Sequence, residues 1–385
     1  MKAIHVLVLV VIAAAIVATV YLPHEQEKTE LKVVYAGSLV VPFGEIEKQF
    51  ESTHPDVDVQ MEGHGSIQAI RQVTDLHDGV DVVVVADETL IPDMMYDTHA
   101  DWYVRFATNQ MVIAYTDGSR YARKINDSNW YEILSRPDVT LGFSNPMLDA
   151  CGYRTLMVTQ LAEWHYDNQT IFDDLIAGNL AQPISVTMGD DGDGDTAIVF
   201  VPETLSPRTE KIVIRGGSVQ LLALLDLGEI DYAFLYKSMA EQHGLRFLEL
   251  PAEIDLSSPE YEDDYKKVTI QLGFQRFTSV GAKRECKPIF YGLTIPKNAT
   301  SPELAAEFVE FVISEEGLGV LWDTKQPTVS PVADNPDKMP DMLRSVVVDE
   351  IDVFANSCGF GDVARNKRLI TPAAPLSITR FNSAW

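Results

Sequence analysis

The chain has 385 residues, 46% of them hydrophobic, which is enough for two lobes that each bury a core. A net charge of −27 leaves no basic stripe that could displace counterions from a phosphate backbone, and so excludes nucleic-acid binding. The same charge repels small anions at long range, so an anion site here must work through amide and hydroxyl donors at close quarters, within a screening length of roughly 8–10 Å; the acidity fits a salty habitat equally well.

Met1-Lys2 and the apolar run 4–22, about 28 Å long as a helix, read as a signal peptide or a membrane anchor. The run has no clear small-x-small cleavage site and no lipid-acceptor cysteine. That favours an anchor with the remainder outside the cell, residues 1–30 being this segment plus a short linker. The three cysteines, Cys151, Cys286 and Cys358, make neither a metal pattern nor a disulfide framework, which leaves one bridge or three free thiols.

Residues 31–36 are a β-rich run, after which Leu39, Phe43, Ile46 and Phe50 recur at helical spacing. Residues 57–61 alternate as a strand, Ile67, Ile70 and Val73 open a second helix after Ser66, and 82–86 (VVVVA) suits a strand buried on both faces. The order predicts a wound α/β sheet. Residues 111–115 and 140–144 are further strands. Tyr153, Met157, Leu161 and Trp164 mark a helix, 211–214 a strand, 219–227 a helix stopped by Gly228, and 231–236 a strand. A second α/β unit therefore begins near residue 110. Residues 288–295 form a strand that returns the chain to the first unit, and Ser301-Pro302-Glu303 starts a helix with a predicted buried face of Leu304, Phe308 and Phe311. The acidic patch 189–195 fails as a calcium loop. Position twelve is Pro202 counted from Asp191 and Val201 counted from Asp190, where Glu is needed, so the patch is read as a hairpin tip. The tail from Val332 is proline-spaced and weakly periodic.

Gly37-Ser38 and Gly65-Ser66 stand where a strand hands over to a helix, and Asp149 precedes the helix that follows Gly142-Phe143-Ser144-Asn145-Pro146. Ser218 after Gly216-Gly217 is another helix start, and Tyr236 ends a strand. Singly, each reads as a cap or a core residue. Together, on successive units of one sheet whose C-terminal strand ends share a side, they point to a captured oxyanion. There is no G-x-S-x-G elbow, P-loop or H-E-x-x-H, and the eight histidines form no ligand pair. The enzymatic alternative is an extracellular serine hydrolase built on Ser66 and His64.

Ten segments carry a family resemblance. They are Tyr35-Ala36-Gly37-Ser38-Leu39, Gly63-His64-Gly65-Ser66, Ala86-Asp87 with Met94-Met95-Tyr96, Asn109-Gln110-Met111, Trp130-Tyr131-Glu132-Ile133-Leu134, Gly142-Phe143-Ser144-Asn145-Pro146, Asp149-Ala150-Cys151-Gly152-Tyr153-Arg154, Gly228-Glu229-Ile230-Asp231-Tyr232 through Tyr236-Lys237-Ser238, Leu250-Pro251-Ala252-Glu253-Ile254-Asp255-Leu256, and Tyr291-Gly292-Leu293-Thr294-Ile295-Pro296. Over about residues 31–321 the chain resembles the archaeal tungstate/molybdate-binding proteins, extracytoplasmic substrate-binding subunits of ABC transporters. The resemblance implies a two-lobed type II periplasmic-binding-protein fold of α/β class with the ligand cleft between the lobes. Lobe one would be 31–108 and 288–331, lobe two 109–287, and 332–385 an atypical C-terminal tail. It further implies a monomer that captures tungstate or molybdate and passes it to a membrane permease, with no enzymatic turnover and no cofactor.

By position within those motifs, the implied oxyanion contacts are Gly37, Ser38, Ser66, Asp149, Ala150, Cys151, Ser218 and Tyr236, with Asp149 also placed on the Mo/W centre. The archaeal pattern has a Glu where this chain has Ser218, so one of two metal-coordinating carboxylates is missing. The expectation is an oxyanion held mainly by hydrogen bonds and less sharply distinguished from sulfate. A sulfate or phosphate receptor, or a diverged paralogue, is the alternative within the binding class. The Cys151 thiol, at a helix start, is open to partial ionisation.

Overall fold

The computed structural model describes residues 28–349 apart from 77, 183, 191–194, 209 and 274–282. The N-terminal apolar run, Cys358 and most of the tail lie outside the described residues. The chain begins in a first sheet with β1 (Thr29–Ala36), β2 (Val57–His64), β3 (Val82–Val85) and β4 (Val104–Thr108). Asn109-Gln110 carries it into a second sheet with β5 (Met111–Tyr115) and β6 (Leu141–Ser144). A third sheet opens with β7 (Ser185–Asp190) and β8 (Asp195–Val201). The chain then returns to the second sheet with β9 (Ile212–Arg215), β10 (Tyr232–Tyr236) and β11 (Arg246–Glu249), and to the third with β12 (Val268–Leu272) and β13 (Lys283–Glu285). β14 (Phe290–Thr294), β15 (Thr328–Ala333) and β16 (Val348–Asp349) rejoin the first sheet. The strand orders are β16-β15-β4-β14-β3-β1-β2, β11-β5-β10-β6-β9 and β13-β12-β8-β7.

β1 runs parallel to both β2 and β3, and β6 parallel to both β9 and β10. The C-terminal ends of these strands therefore gather on one edge of each sheet, and the helices that follow begin there: α1 (Val40–Thr53), α2 (Ser66–Thr74), α3 (Ala150–His165), α4 (Val219–Asp226) and α5 (Lys237–Gln242). β3 is buried along its whole length, as a four-valine run between two neighbours requires. α1 packs on α6 (Pro302–Ile313) through Phe50 and Phe308, edge to face at 5.1 Å.

Two expectations are corrected. The buried face of α6 is Ala305, Phe308, Val309 and Val312, an i, i+3, i+4, i+7 stripe, whereas Leu304 and Phe311 are only half-buried. The third sheet was not anticipated. Residues from Val332 pair onto the first sheet, Val332 and Ala333 against both Arg105-Val104 and Val348-Asp349, where the sequence suggested only a tail. β7 and β8 pair antiparallel as far as Asp190 and Asp195, so the acidic patch closes a hairpin whose tip, 191–194, lies outside the described residues.

Candidate functional site

The edges that carry the strand ends face one another across a cleft of about 200 Å³, lined by residues that include Gly37, Gly65, Asp149, Gly217 and Ser218. No lysine or arginine lines it among the described residues. The walls meet closely: Gln68 N–H donates to Leu148 O at 3.3 Å. A Cβ on Gly65 would stand 2.4 Å from that same carbonyl oxygen and 3.0 Å from Asp149 Cβ, so only glycine permits the approach.

Asp149 is the N-cap of α3. Its Oδ1 accepts from Cys151 N–H at 3.4 Å, and its Oδ2 reaches across to accept from Ser218 N–H at 2.8 Å. The carboxylate thus fills the ordinary capping role and also ties the start of α4 to the start of α3. Burial raises its pKa, an effect that the Ser218 and Cys151 N–H groups and nearby hydroxyls only partly offset. The surroundings of Cys151 disfavour ionisation of its thiol. Burial, reinforced by the Asp149 charge, pushes Cys151 well above the usual thiol range, and its Sγ donates to Phe234 O at 3.6 Å. Cys151 and Cys286 are both free and buried.

Of the sequence-nominated residues, Gly37, Asp149 and Ser218 line the cleft; Ala150 and Cys151 lie under Asp149 in the first turn of α3. Ser38, Ser66 and Tyr236 are buried, Ser38 and Ser66 directly after the lining residues Gly37 and Gly65, and the three are joined to one another through intermediaries. Ser66 Oγ accepts from Ala86 N–H at 3.0 Å. Arg154 donates both to Ala86 O at 2.6 Å and to Tyr236 Oη at 2.7 Å. The Tyr236 and Tyr291 rings meet at 6.2 Å, and Tyr291 Oη lies 2.9 Å from Ser38 Oγ. His64 pairs with Glu62 at 3.4 Å, and no His64–Ser66 hydrogen bond forms among the described residues, so the hydrolase pairing is not assembled.

Two kinds of residue escaped the sequence reading. Ser144, the last residue of β6, is fully buried; its Oγ makes no well-aligned hydrogen bond among the described residues, but it lies within reach of the Asp149 carboxyl and the Cys151 thiol and lowers the pKa of both. Its strand-end position was the available signal, but no glycine follows it to mark a turn. Arg154 and Asp87 form the second kind, a buried pair at 3.7 Å in which Tyr153 Oη also donates to Asp87. Burial alone would raise the Asp87 carboxyl; the Arg154 charge and the Tyr153 hydrogen bond more than reverse this and leave it lowered.

The family model for bacterial extracellular solute-binding proteins matches residues 31–323. An uncharacterized solute-binding protein of Methanococcus maripaludis is 44% identical over 316 residues, 81% of this chain and 88% of that one. The molybdate/tungstate-binding protein WtpA of Pyrococcus abyssi is 40% identical over 313 residues, 80% of this chain and 86% of that one. Among solved structures, the periplasmic molybdate-binding protein of Azotobacter vinelandii superposes with a TM-score of 0.52 at 15% identity, covering 77% of this chain and 98% of that one, a likeness of fold.

Proposed function

The chain belongs to the bacterial extracellular solute-binding protein family, and on that premise we propose that it captures tungstate or molybdate outside the cytoplasm and delivers it to an ABC permease. In this reading it works as a monomer, has no nucleic-acid partner, and is held at the membrane by residues 4–22. The observation that carries the ligand class is the convergence of the α3 and α4 starts and of the Gly37 and Gly65 turns on one cleft, with the buried Ser144 hydroxyl at the strand end beside Asp149. Main-chain N–H groups at helix starts and buried hydroxyls offer hydrogens to an acceptor. The Pyrococcus relative named for molybdate and tungstate supports the choice among acceptors.

The proposed contacts are Gly37, Ser38, Ser66, Asp149, Ala150, Cys151, Ser218 and Tyr236, joined by Ser144. With no lysine or arginine on the cleft wall among the described residues, attraction comes from hydroxyls and amides held in a fixed array. Asp149 is the one nominated carboxylate, so coordination of the metal by two protein carboxylates is not available at these positions. Calorimetric titration with tungstate, molybdate, sulfate and phosphate tests the proposal. Tungstate and molybdate should bind, with sulfate closer behind them than for a homologue that has Glu at the position of Ser218. Tighter binding of phosphate or sulfate would select the other oxyanion receptors, and silence with all four would mean a protein that has lost its ligand.

A further inference from the structure

We infer that Asn109 and Tyr291 are positioning residues that lock the Ser38 hydroxyl as a hydrogen donor to the bound anion, so that this end of the cleft favours ligand oxygens carrying no proton. The inference rests on the oxyanion reading above and adds a basis for selectivity to it.

The direction of hydrogen bonding can be followed from the main chain outward. Gln110 N–H and Ser238 N–H both donate to Asn109 Oδ1, at 3.0 and 3.3 Å. A main-chain N–H can only donate, so the amide has one orientation, with Nδ2 on the far side. Nδ2 donates to Ser238 Oγ at 2.8 Å and to Tyr291 Oη at 3.1 Å. Tyr291 Oη has one further partner among the described residues, Ser38 Oγ at 2.9 Å. Were Ser38 the donor, the Tyr291 hydrogen would be buried with no acceptor, because Asn109 already points a hydrogen at that oxygen. Tyr291 therefore donates and Ser38 accepts. Ser38 is itself buried and has no other partner among the described residues, which leaves its own hydrogen to be delivered elsewhere.

A second relay runs in the same sense. Arg154 cannot accept, so Tyr236 Oη must accept from it, and Ser66 Oγ must accept from Ala86 N–H. Ser38, Ser66 and Tyr236, three of the four nominated hydroxyls, thus have a protein donor at their back and, among the described residues, a hydrogen to spare. A fully deprotonated oxyanion satisfies every one of them. Hydrogen phosphate has the same charge but brings a hydrogen of its own. Set against Ser38, that hydrogen and the Ser38 hydrogen compete for one place, and the loser is buried unpaired, a penalty on the order of tenfold or more in affinity.

The test is competitive titration of the full chain with molybdate and phosphate near pH 8, where both are dianions, in wild type, Tyr291→Phe and Asn109→Asp. Tyr291→Phe keeps the ring and frees Ser38 to accept; molybdate affinity should fall about tenfold and phosphate affinity clearly less. Asn109→Asp replaces the donating nitrogen with an acceptor and reverses the relay, so that Ser38 donates backward and presents a lone pair to the ligand. Its added charge bears equally on two dianions, so the molybdate-to-phosphate ratio isolates the direction, and that ratio should narrow at least as far. A role in packing alone would lower both affinities together; a parallel loss, or an unchanged ratio in both variants, overturns the inference while leaving the oxyanion reading intact. Wild-type protein that binds neither molybdate nor tungstate overturns that reading and the relay with it.

Discussion

Ser218 stands where one side chain decides what kind of chemistry the cleft can offer. It is buried, its N–H is already committed to Asp149, and its Oγ stands 3.7 Å from Met239 Sδ and close enough to Asp149 and Cys151 to lower the pKa of both. Ser218→Glu brings a second carboxylate up to Asp149. Two close carboxylates repel each other and any sulfate, but they can coordinate a metal centre that is able to expand its shell. We expect tungstate affinity to rise relative to sulfate by about tenfold or more, measured by paired titrations; an unchanged ratio would remove the second carboxylate from the account. Asp149 itself was legible as a helix start, because Asp before a helical period is a cap signal. Its bond to Ser218 N–H was not legible, since it joins residues 69 positions apart. Ser144 lies within a motif without being nominated, because its significance lies in its closeness to Asp149 and Cys151, which sequence does not show.

At the scale of elements, two joints between the sheets carry separate loads. The first is Asp87 with Arg154, at the ends of β3 and in α3. The Asp87 carboxyl is held below its ordinary value of 3.8, so the folded state favours its ionised form. That contribution is complete above the ordinary value and is lost as pH falls through the lowered one. Asp87→Asn should cost about 3 kcal/mol at neutral pH by stranding a buried guanidinium, and its denaturation midpoint should vary less with pH below about 4 than that of wild type. The second joint is Gly65 against Leu148 O. Gly65 has φ −64°, which alanine adopts freely, so Gly65→Ala should alter stability by about 1 kcal/mol or less yet hold the cleft walls apart. Anion affinity should fall at least about tenfold, with an expanded radius of gyration in small-angle scattering; full affinity at unchanged dimensions would show that the approach is not needed. The strand–helix alternation of both principal sheets could be read from period alone. The face of α6 was misassigned because Leu304 and Phe311 are large while the residues actually buried beside Phe308 include two alanines, and size outweighed spacing. The third sheet went unread because β8 leaves Ile198 and Phe200 exposed on its outer face, which blurs the alternation that marks a strand.

For the molecule as a whole, the net charge of −27 and a cleft wall without lysine or arginine act in opposition to the ligand's own charge. Most anion sites weaken as salt is added; this one should strengthen, because screening removes a repulsion rather than an attraction. Raising potassium chloride from about 10 to 200 mM should tighten molybdate binding by roughly twofold or more, chiefly through faster association, and a weakening would reveal a cationic contribution to the site. The bond from Gln68 N–H to Leu148 O adds a temporal limit. It is made by main chain alone and draws the cleft walls together, so on the proposed oxyanion reading capture and release both wait for it to break. The rate of uptake is then set by how often an empty molecule gapes, and the residence time of the cargo by how rarely a filled one does.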